Sequence, residues 1–245
     1  MGDNTLYTVY LGLQARQTAV DIIANNIANS STTGFKSDVA LFRSYLTAGA
    51  KGALGDVDRS VLAEMTGTNF TEGIFQRTGR ELDIALRGNG GNSFFALQTA
   101  QGPRYTRNGN FTLNSARQLV AQDGALVIGA NGPITLPVGK ITIDEQGQIY
   151  VDNRQVDRLR IVSFKDPQKL GKDGASRFMS DQQNLDEQPK AITVMQGNLE
   201  QSNVNGMKEV GLMLRMLREF ESLEKLLQSI AHDLNGRVVR EVGKL

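Results

Sequence analysis

The sequence predicts an α+β fold in which long N- and C-terminal helices pair as a coiled coil, with an all-β barrel or sandwich domain inserted between them. Three observations carry that expectation. An apolar row repeats at helical spacing near the start of the chain, a second repeats near its end, and between Gly73 and Phe178 the apolar period changes to two.

The C-terminal row is the longer. From about Gly206 to Leu234, Val210, Met213, Leu214, Leu217, Phe220, Leu227, Ile230 and Leu234 recur at spacings of three, four or seven, with Lys208, Glu209, Arg215, Arg218, Glu219, Glu221 and Lys225 on the other faces. At about 1.5 Å per residue such a helix is roughly 43 Å long, more than a small domain needs to cover its own core. Near the N-terminus, Leu6, Leu13, Val20 and Ile27 are spaced by seven, as one heptad position would be, within a helix expected from about Thr5 to Ala28. Asn25, Asn26 and Asn29 are expected to end that helix and turn the chain. The run Asn29-Ser30-Ser31-Thr32-Thr33-Gly34 supplies side chains that compete for backbone hydrogen bonds and a residue that tolerates positive φ.

The next segment, 35–75, is read as a connecting arm. Phe35, Val39, Leu41, Phe42, Tyr45 and Leu46 precede a glycine-rich run, GAKGALGDVD. A loop, an extended arm and a partner-ordered segment all fit, and a connection this long inside a compact domain favours order supplied by neighbours. The strand-like runs that follow include LDIALR, SFFALQ, RYTRNGNFTLN, QLVAQDGALVIG, ITIDEQGQIYV and DRLRIVSF. Asn108-Gly109, Asp123-Gly124, Asn131-Gly132 and Gln146-Gly147 separate them and are expected to form type I′ turns. The run AITVMQGNLEQSN then returns extended, and Asn203 or Asn205 is placed as the cap of the last helix. The division expected is a terminal helical assembly domain of 1–34 and 197–245, the arm 35–75, and a β domain 76–196.

Composition removes several function classes. The chain of 245 residues is 40% hydrophobic and has no cysteine, one histidine (His232) and no tryptophan. Disulfides, thiolate metal sites and a cysteine nucleophile are thereby excluded, and His-based triads and most zinc sites would all have to share His232. Its 27 Lys and Arg nearly balance 26 Asp and Glu, which does not favour nucleic-acid binding. No apolar run reaches the roughly 18 residues of a bilayer span, so no membrane insertion is expected. The N-terminus lacks the basic, apolar and small-residue regions of a cleaved secretory signal.

Three local patterns have plainer readings than the functional ones they suggest. Gly88-Asn89-Gly90-Gly91 leads into the strand pattern Phe94-Phe95-Ala96-Leu97 and lacks the helix N-terminus a phosphate loop needs, so it reads as a turn. Arg104-Tyr105-Thr106-Arg107 pairs cations with an aromatic, but on a strand Arg104 and Thr106 face one way and Tyr105 and Arg107 the other, which favours cross-strand packing over base stacking. Asp83, Asp123, Asp144 and Asp152 sit in strand or turn contexts and form no recognisable catalytic pair. No catalytic residue, cofactor or metal is expected.

Two long helices can pack as an intramolecular hairpin, but Leu212, Met216, Leu223 and Leu226 widen the apolar surface beyond one row. Surplus apolar surface implies neighbours, and head-to-tail contacts that do not close build a helical filament.

The run Ala24-Asn25-Asn26-Ile27-Ala28-Asn29-Ser30-Ser31-Thr32-Thr33-Gly34-Phe35-Lys36 resembles the N-terminal signature of bacterial flagellar rod and hook proteins. Residues 78–129 are similar to that family's central β region, and Gln196 to Asn205, with Asn203, Val204 and Asn205, resemble the run that introduces its C-terminal helix. Within the family the likeness is greatest to the proximal rod subunit adjoining the distal rod, with the distal rod subunit as the alternative and a β-domain module for peptidoglycan or carbohydrate behind both. GNGGNSFFAL departs from the family pattern by extra residues between the glycine and the paired Phe. The resemblance implies a structural subunit of the basal-body rod, within the periplasm, that transmits torque from motor to hook. It implies partners among the other rod subunits, proximal and distal, with copies of itself as a further candidate, and passage through the flagellar type III export apparatus. Its assembly surface is expected on Leu6, Leu13, Val20, Ile27, Val210, Met213, Leu217, Phe220, Leu227 and Leu234, and its family motif on Asn25, Asn26, Asn29, Gly34, Phe35, Asn203, Val204 and Asn205.

Overall fold

A computed structural model describes residues 2–47, 58–181, 184–186 and 192–242. The chain divides into two compact units, one of Met1–Ile27, Asp38–Gly67 and Gly206–Leu245, the other of Ala28–Ser37 and Thr68–Asn205.

The first unit holds α1 (Gly2–Ala28), α2 (Gly206–Val242) and a two-stranded sheet of Asp38–Thr47 with Asp58–Thr68. The segment read as an arm thus contributes a strand pair, while its glycine-rich run lies outside the described residues. α1 and α2 meet through polar groups: Arg16 pairs with Glu219 at 2.7 Å and its guanidinium lies 3.5 Å from the Met216 sulfur.

These helices correct the expected fold class. The described chain is mostly β, with only these two α-helices, and they do not pair as a coiled coil. A coiled-coil seam would bury Val210, Leu214 and Leu217, which are 46%, 53% and 40% exposed. The heptad rows explain why. If Leu6, Leu13, Val20 and Ile27 take one core position, the other runs Val9, Arg16, Ile23, Ser30, with a charge at its centre. On α2 the row Val210, Leu217 continues into Glu224. A charge carried into a desolvated seam costs more than the flanking leucines return; Arg16 instead meets Glu219 with both side chains 39% exposed.

The second unit is a β domain. Its central strand, Ser93–Thr99, pairs antiparallel with Gly102–Thr106, with Leu126–Gly129 and with Ile161–Phe164, inside a ten-stranded sheet. Phe94-Phe95-Ala96-Leu97 shows no apolar/polar alternation because this strand is buried on both faces. Phe95 and Leu97 enter a core with Ile84, Leu86, Phe111, Leu119 and Val127. Phe94 and Ala96 enter another, with Phe70, Tyr105, Phe164 and Phe178. Phe94 is the hub of the second core, its ring centroid 5.9 Å from Phe70 and 5.4 Å from each of Phe164 and Phe178.

Turn chemistry departs from expectation in an informative way. Type I′ geometry needs positive φ at both central residues, and Asn108, Asp123, Asn131 and Gln146 are not among the residues that have it. Asp152 (φ 47°) and Asn153 (φ 63°) are, and they join Gln148–Val151 to Arg154–Arg158 as the two-residue hairpin. Asp144 and Asp123 instead accept hydrogen bonds from backbone two residues on, Gln146 N and Ala125 N, closing Asx turns. Gly88-Asn89-Gly90-Gly91 holds a 3₁₀ turn at Asn89–Gly91, and a Cβ on Gly91 would lie 1.8 Å from the Phe70 carbonyl oxygen.

A three-stranded sheet, Ile141–Ile143, Gln148–Val151 and Arg154–Arg158, has its first edge closed by side chains. Gln196 accepts from Ile143 N at 3.1 Å and donates to Ile141 O at 3.0 Å, and Glu81 takes Ile141 N at 3.5 Å.

Phe94→Ala removes the hub of one core and leaves a cavity that its three aromatic neighbours cannot close. Urea unfolding of the variant is expected to show a loss of about 3–5 kcal/mol, while Met179→Ala at the exposed rim of the same domain stays within about 0.5 kcal/mol.

Candidate functional site

The most densely built polar constellation among the described residues lies in the second unit, where the chain segments adjoining the two helices meet. Its centre is Glu200, on the short strand Asn198–Glu200 that pairs with Phe75–Arg77. Lys36, Arg107 and Glu200 have fully buried side chains. Glu200 Oε1 accepts from Lys36 Nζ at 2.7 Å and from Gly73 N at 2.9 Å, and Oε2 accepts from Arg107 Nε at 2.7 Å. The rest of the Arg107 fork donates to Ser93 O and Leu86 O, both at 2.8 Å, and Glu72 lies 3.6 Å away. Lys36 Nζ also donates to Thr71 O at 2.6 Å. Two cations thus face two carboxylates, and each nitrogen of the guanidinium has an acceptor, as a buried charge requires.

Desolvation holds the Lys36 ammonium below the ordinary lysine value, against the opposing pull of the Glu200 carboxylate, with the Arg107 charge adding to the lowering.

The expected motif residues frame this cluster. Gly34 has φ 69°, and a Cβ there would sit 2.4 Å from Asn108 N, so the position takes only glycine without displacing backbone. Its N–H donates to Glu200 O at 2.8 Å. Phe35 is buried, with Lys172 Nζ 4.5 Å from its ring centre and the same ammonium donating to Lys36 O at 2.7 Å. Asn203 accepts from Ser37 N at 2.8 Å and donates to Asn69 O and Thr71 O at 2.8 and 3.0 Å. Its amide is therefore engaged with the segments 37 and 69–71. Val204 is half-buried and its N–H donates to Ser202 Oγ; Asn205 is exposed, directly before α2.

In the first unit, Asn26 is buried and exchanges two hydrogen bonds with the Asp38 backbone, both 2.9 Å. Asn25 is exposed, and Asn29 accepts from Thr32 just past the end of α1. Leu13, Val20, Ile27, Met213 and Phe220 are half-buried, Val210 and Leu217 exposed; Leu6, Leu227 and Leu234 lie outside the described side chains, as does His232.

Arg107 and Glu200 drew no site role from the sequence, although Arg107 shares a strand face with buried Tyr105. That charge on an apolar face was the available signal. Tyr105 packs against Phe164 at 4.9 Å, so the Arg-Tyr-Thr-Arg run presents neither Tyr105 nor Arg107 at the surface. Asp123 pairs with Arg177, Asp144 and Asp152 accept from backbone in turns, and buried Asp83 lies 3.6 Å from Arg80. Among the described residues no group of three or more His, Asp or Glu could hold a metal, and no helix is long and apolar enough to cross a membrane. An open cleft of about 450 Å³ between Glu145, Arg158, Leu159, Arg160 and Ile161 brings together no nucleophile and base.

Residues 6–36 match the family described as flagella basal body rod protein, and residues 88–151 match the flagellar hook protein FlgE/F/G D1 domain. The chain is 33% identical to the flagellar basal-body rod protein FlgF of Caulobacter vibrioides, over 99% of each chain. It is 32% identical to FlgF of Escherichia coli, over 93% of this chain and 94% of that one. It is 31% identical to the flagellar basal-body rod protein FlgG of Bacillus subtilis, over 91% and 93%. The first match ends at Lys36, inside the charge cluster.

Glu200→Gln leaves Lys36 and Arg107 buried with only the more exposed Glu72 to balance them, and is expected to cost about 3–5 kcal/mol in urea unfolding. Lys36→Met keeps the Glu200–Arg107 pair and is expected to cost less, about 1–2 kcal/mol. Because the folded Lys36 releases its proton at lower pH than the unfolded chain, wild type should gain stability relative to Lys36→Met as pH rises from the lowered value toward the ordinary lysine range.

Proposed function

The chain belongs to the flagellar basal-body rod protein family, and on that premise we propose how it assembles and where in the rod it stands. It is a structural subunit of the basal-body rod, located in the flagellar basal body, with other rod components as its partners. Our reading places it in the proximal rod, within the periplasm, as part of a helical tube that carries torque from motor to hook. The matches to FlgF over nearly the whole chain support that position; the match to FlgG supports the distal rod as the alternative. We assign it no catalytic role, and its route to the tip is the flagellar type III export apparatus, as for the family it resembles.

Assembly is assigned to the terminal segments, 1–34 and 197–245, with 35–75 connecting them to the β domain 76–196. The observation that carries this is the unequal burial of α2. Met213, Met216, Phe220 and Leu223 are half-buried, on the side that carries the contact with Arg16. Met207 is 90% exposed, and with Val210, Leu214 and Leu217 it forms a second apolar row at helical spacing. An isolated chain leaves that row in water; neighbouring subunits would cover it.

Electron microscopy of the purified protein mixed with its neighbouring rod components is expected to show helical tubes. Leu217→Asp, on the exposed row, and Phe220→Asp, on the half-buried one, are expected to abolish them while the β domain keeps its unfolding midpoint, because the charge enters a seam desolvated by assembly. Normal tubes from either variant would remove these rows as the assembly surface.

A further inference from the structure

The chain passes between the two units at four places: after Ile27, after Ser37, after Gly67 and after Asn205. The stretches of the second unit that adjoin these crossings are 28–37, 68–73 and 198–205, and they are bonded to one another more than to the sheet. Glu200 takes Lys36 Nζ and Gly73 N on one oxygen, and its backbone oxygen takes Gly34 N. Asn203 reaches both other stretches with one side chain, accepting from Ser37 N and donating to Asn69 O and Thr71 O. Direct backbone bonds complete the set: Asn69 N to Ser37 O at 2.8 Å and Asn203 N to Phe35 O at 3.4 Å. Thr71 O receives both Lys36 Nζ and the Asn203 amide.

We propose that residues 198–205 act as a latch: Glu200 and Asn203 bind the stretches at all four crossings into one cooperative element, which orders together when the latch is seated and loosens together when it is not. Lys36 and Ser37 lie 164 and 166 positions before their partners Glu200 and Asn203. Local bonds turn the chain at 29–35, but those that fix Lys36 and Ser37 to Glu200 and Asn203 are long-range and come from the run before α2. Lys36 cannot stay buried without the Glu200 carboxylate, and Gly73, whose Cβ would lie 1.9 Å from Gln201 O, is packed directly against the same run. The latch is a property of the single chain and does not depend on the assembly reading.

The test is hydrogen exchange, resolved by peptide, on the dilute full-length chain with Asn203→Ala and, separately, Glu200→Gln. Asn203→Ala removes four hydrogen bonds and buries no charge, so it stays informative if Glu200→Gln fails to fold. The amides of Gly34, Ser37, Asn69 and Gly73 are expected to exchange faster together, on the order of tenfold, while those of Ser93–Thr99 and Gly102–Thr106 keep their protection. Acceleration at Ser37 alone, the one amide that bonds the Asn203 side chain, would overturn the latch. So would equal acceleration of the crossings and the central strands, because the crossings would then be no separate element.

Discussion

Two of the stretches that adjoin the crossings, 28–37 and 68–73, are tied to one carboxylate in the second unit, that of Glu200. Glu200 is buried, and a buried carboxylate persists only where its lone pairs are filled and its charge is met. Here both conditions are satisfied from three separate stretches of chain, by Lys36, Gly73 and Arg107, and the Glu200 backbone oxygen takes Gly34 N besides. Arg107 extends the network to Ser93 and Leu86, and so to the strands that carry the two cores. The sheet and the chain crossings are thereby fixed by the same ion cluster, and the geometry of each is conditional on the other.

What the sequence made legible follows from the range over which each force acts. Helix ends, turns and strand period are local, and they are readable at Asn29-Ser30-Ser31-Thr32-Thr33-Gly34 and along Ile141–Ile143 and Gln148–Val151. The continuous run Phe94–Leu97 also reads as a strand, but only the fold reveals that its odd and even residues serve different cores. The heptad spacing of Leu6, Leu13, Val20 and Ile27 does not specify a coiled coil because Arg16 stands in the companion row and Glu224 in the row of Val210 and Leu217. The type I′ hairpin was sought at Asn-Gly and Asp-Gly pairs, whereas the strand twist is matched at Asp152-Asn153, two residues able to adopt positive φ without a glycine. Of the site, the asparagines and Gly34 were legible as punctuation. The Lys36–Arg107–Glu200 cluster was not, because the separation of its members in sequence leaves no periodic trace.

The two units carry different burdens. The β domain is closed by aromatic packing and paired charges, and its carboxylates are taken up by turns and ion pairs. In the helical unit α2 keeps an apolar row exposed, and its described polar contacts with α1 are an ion pair and a contact to sulfur. The aromatic cores of the β domain are closed, whereas α2 keeps a row of apolar side chains exposed.

The Gln196 side chain, which accepts from Ile143 N and donates to Ile141 O, presents to the sheet edge the same acceptor and donor that a further peptide unit would. The edge strand Ile141–Ile143 therefore meets a counterfeit strand one residue long. The ladder therefore ends inside the subunit, and a strand from any neighbouring chain finds the outward groups of Ile141 and Ile143 already taken.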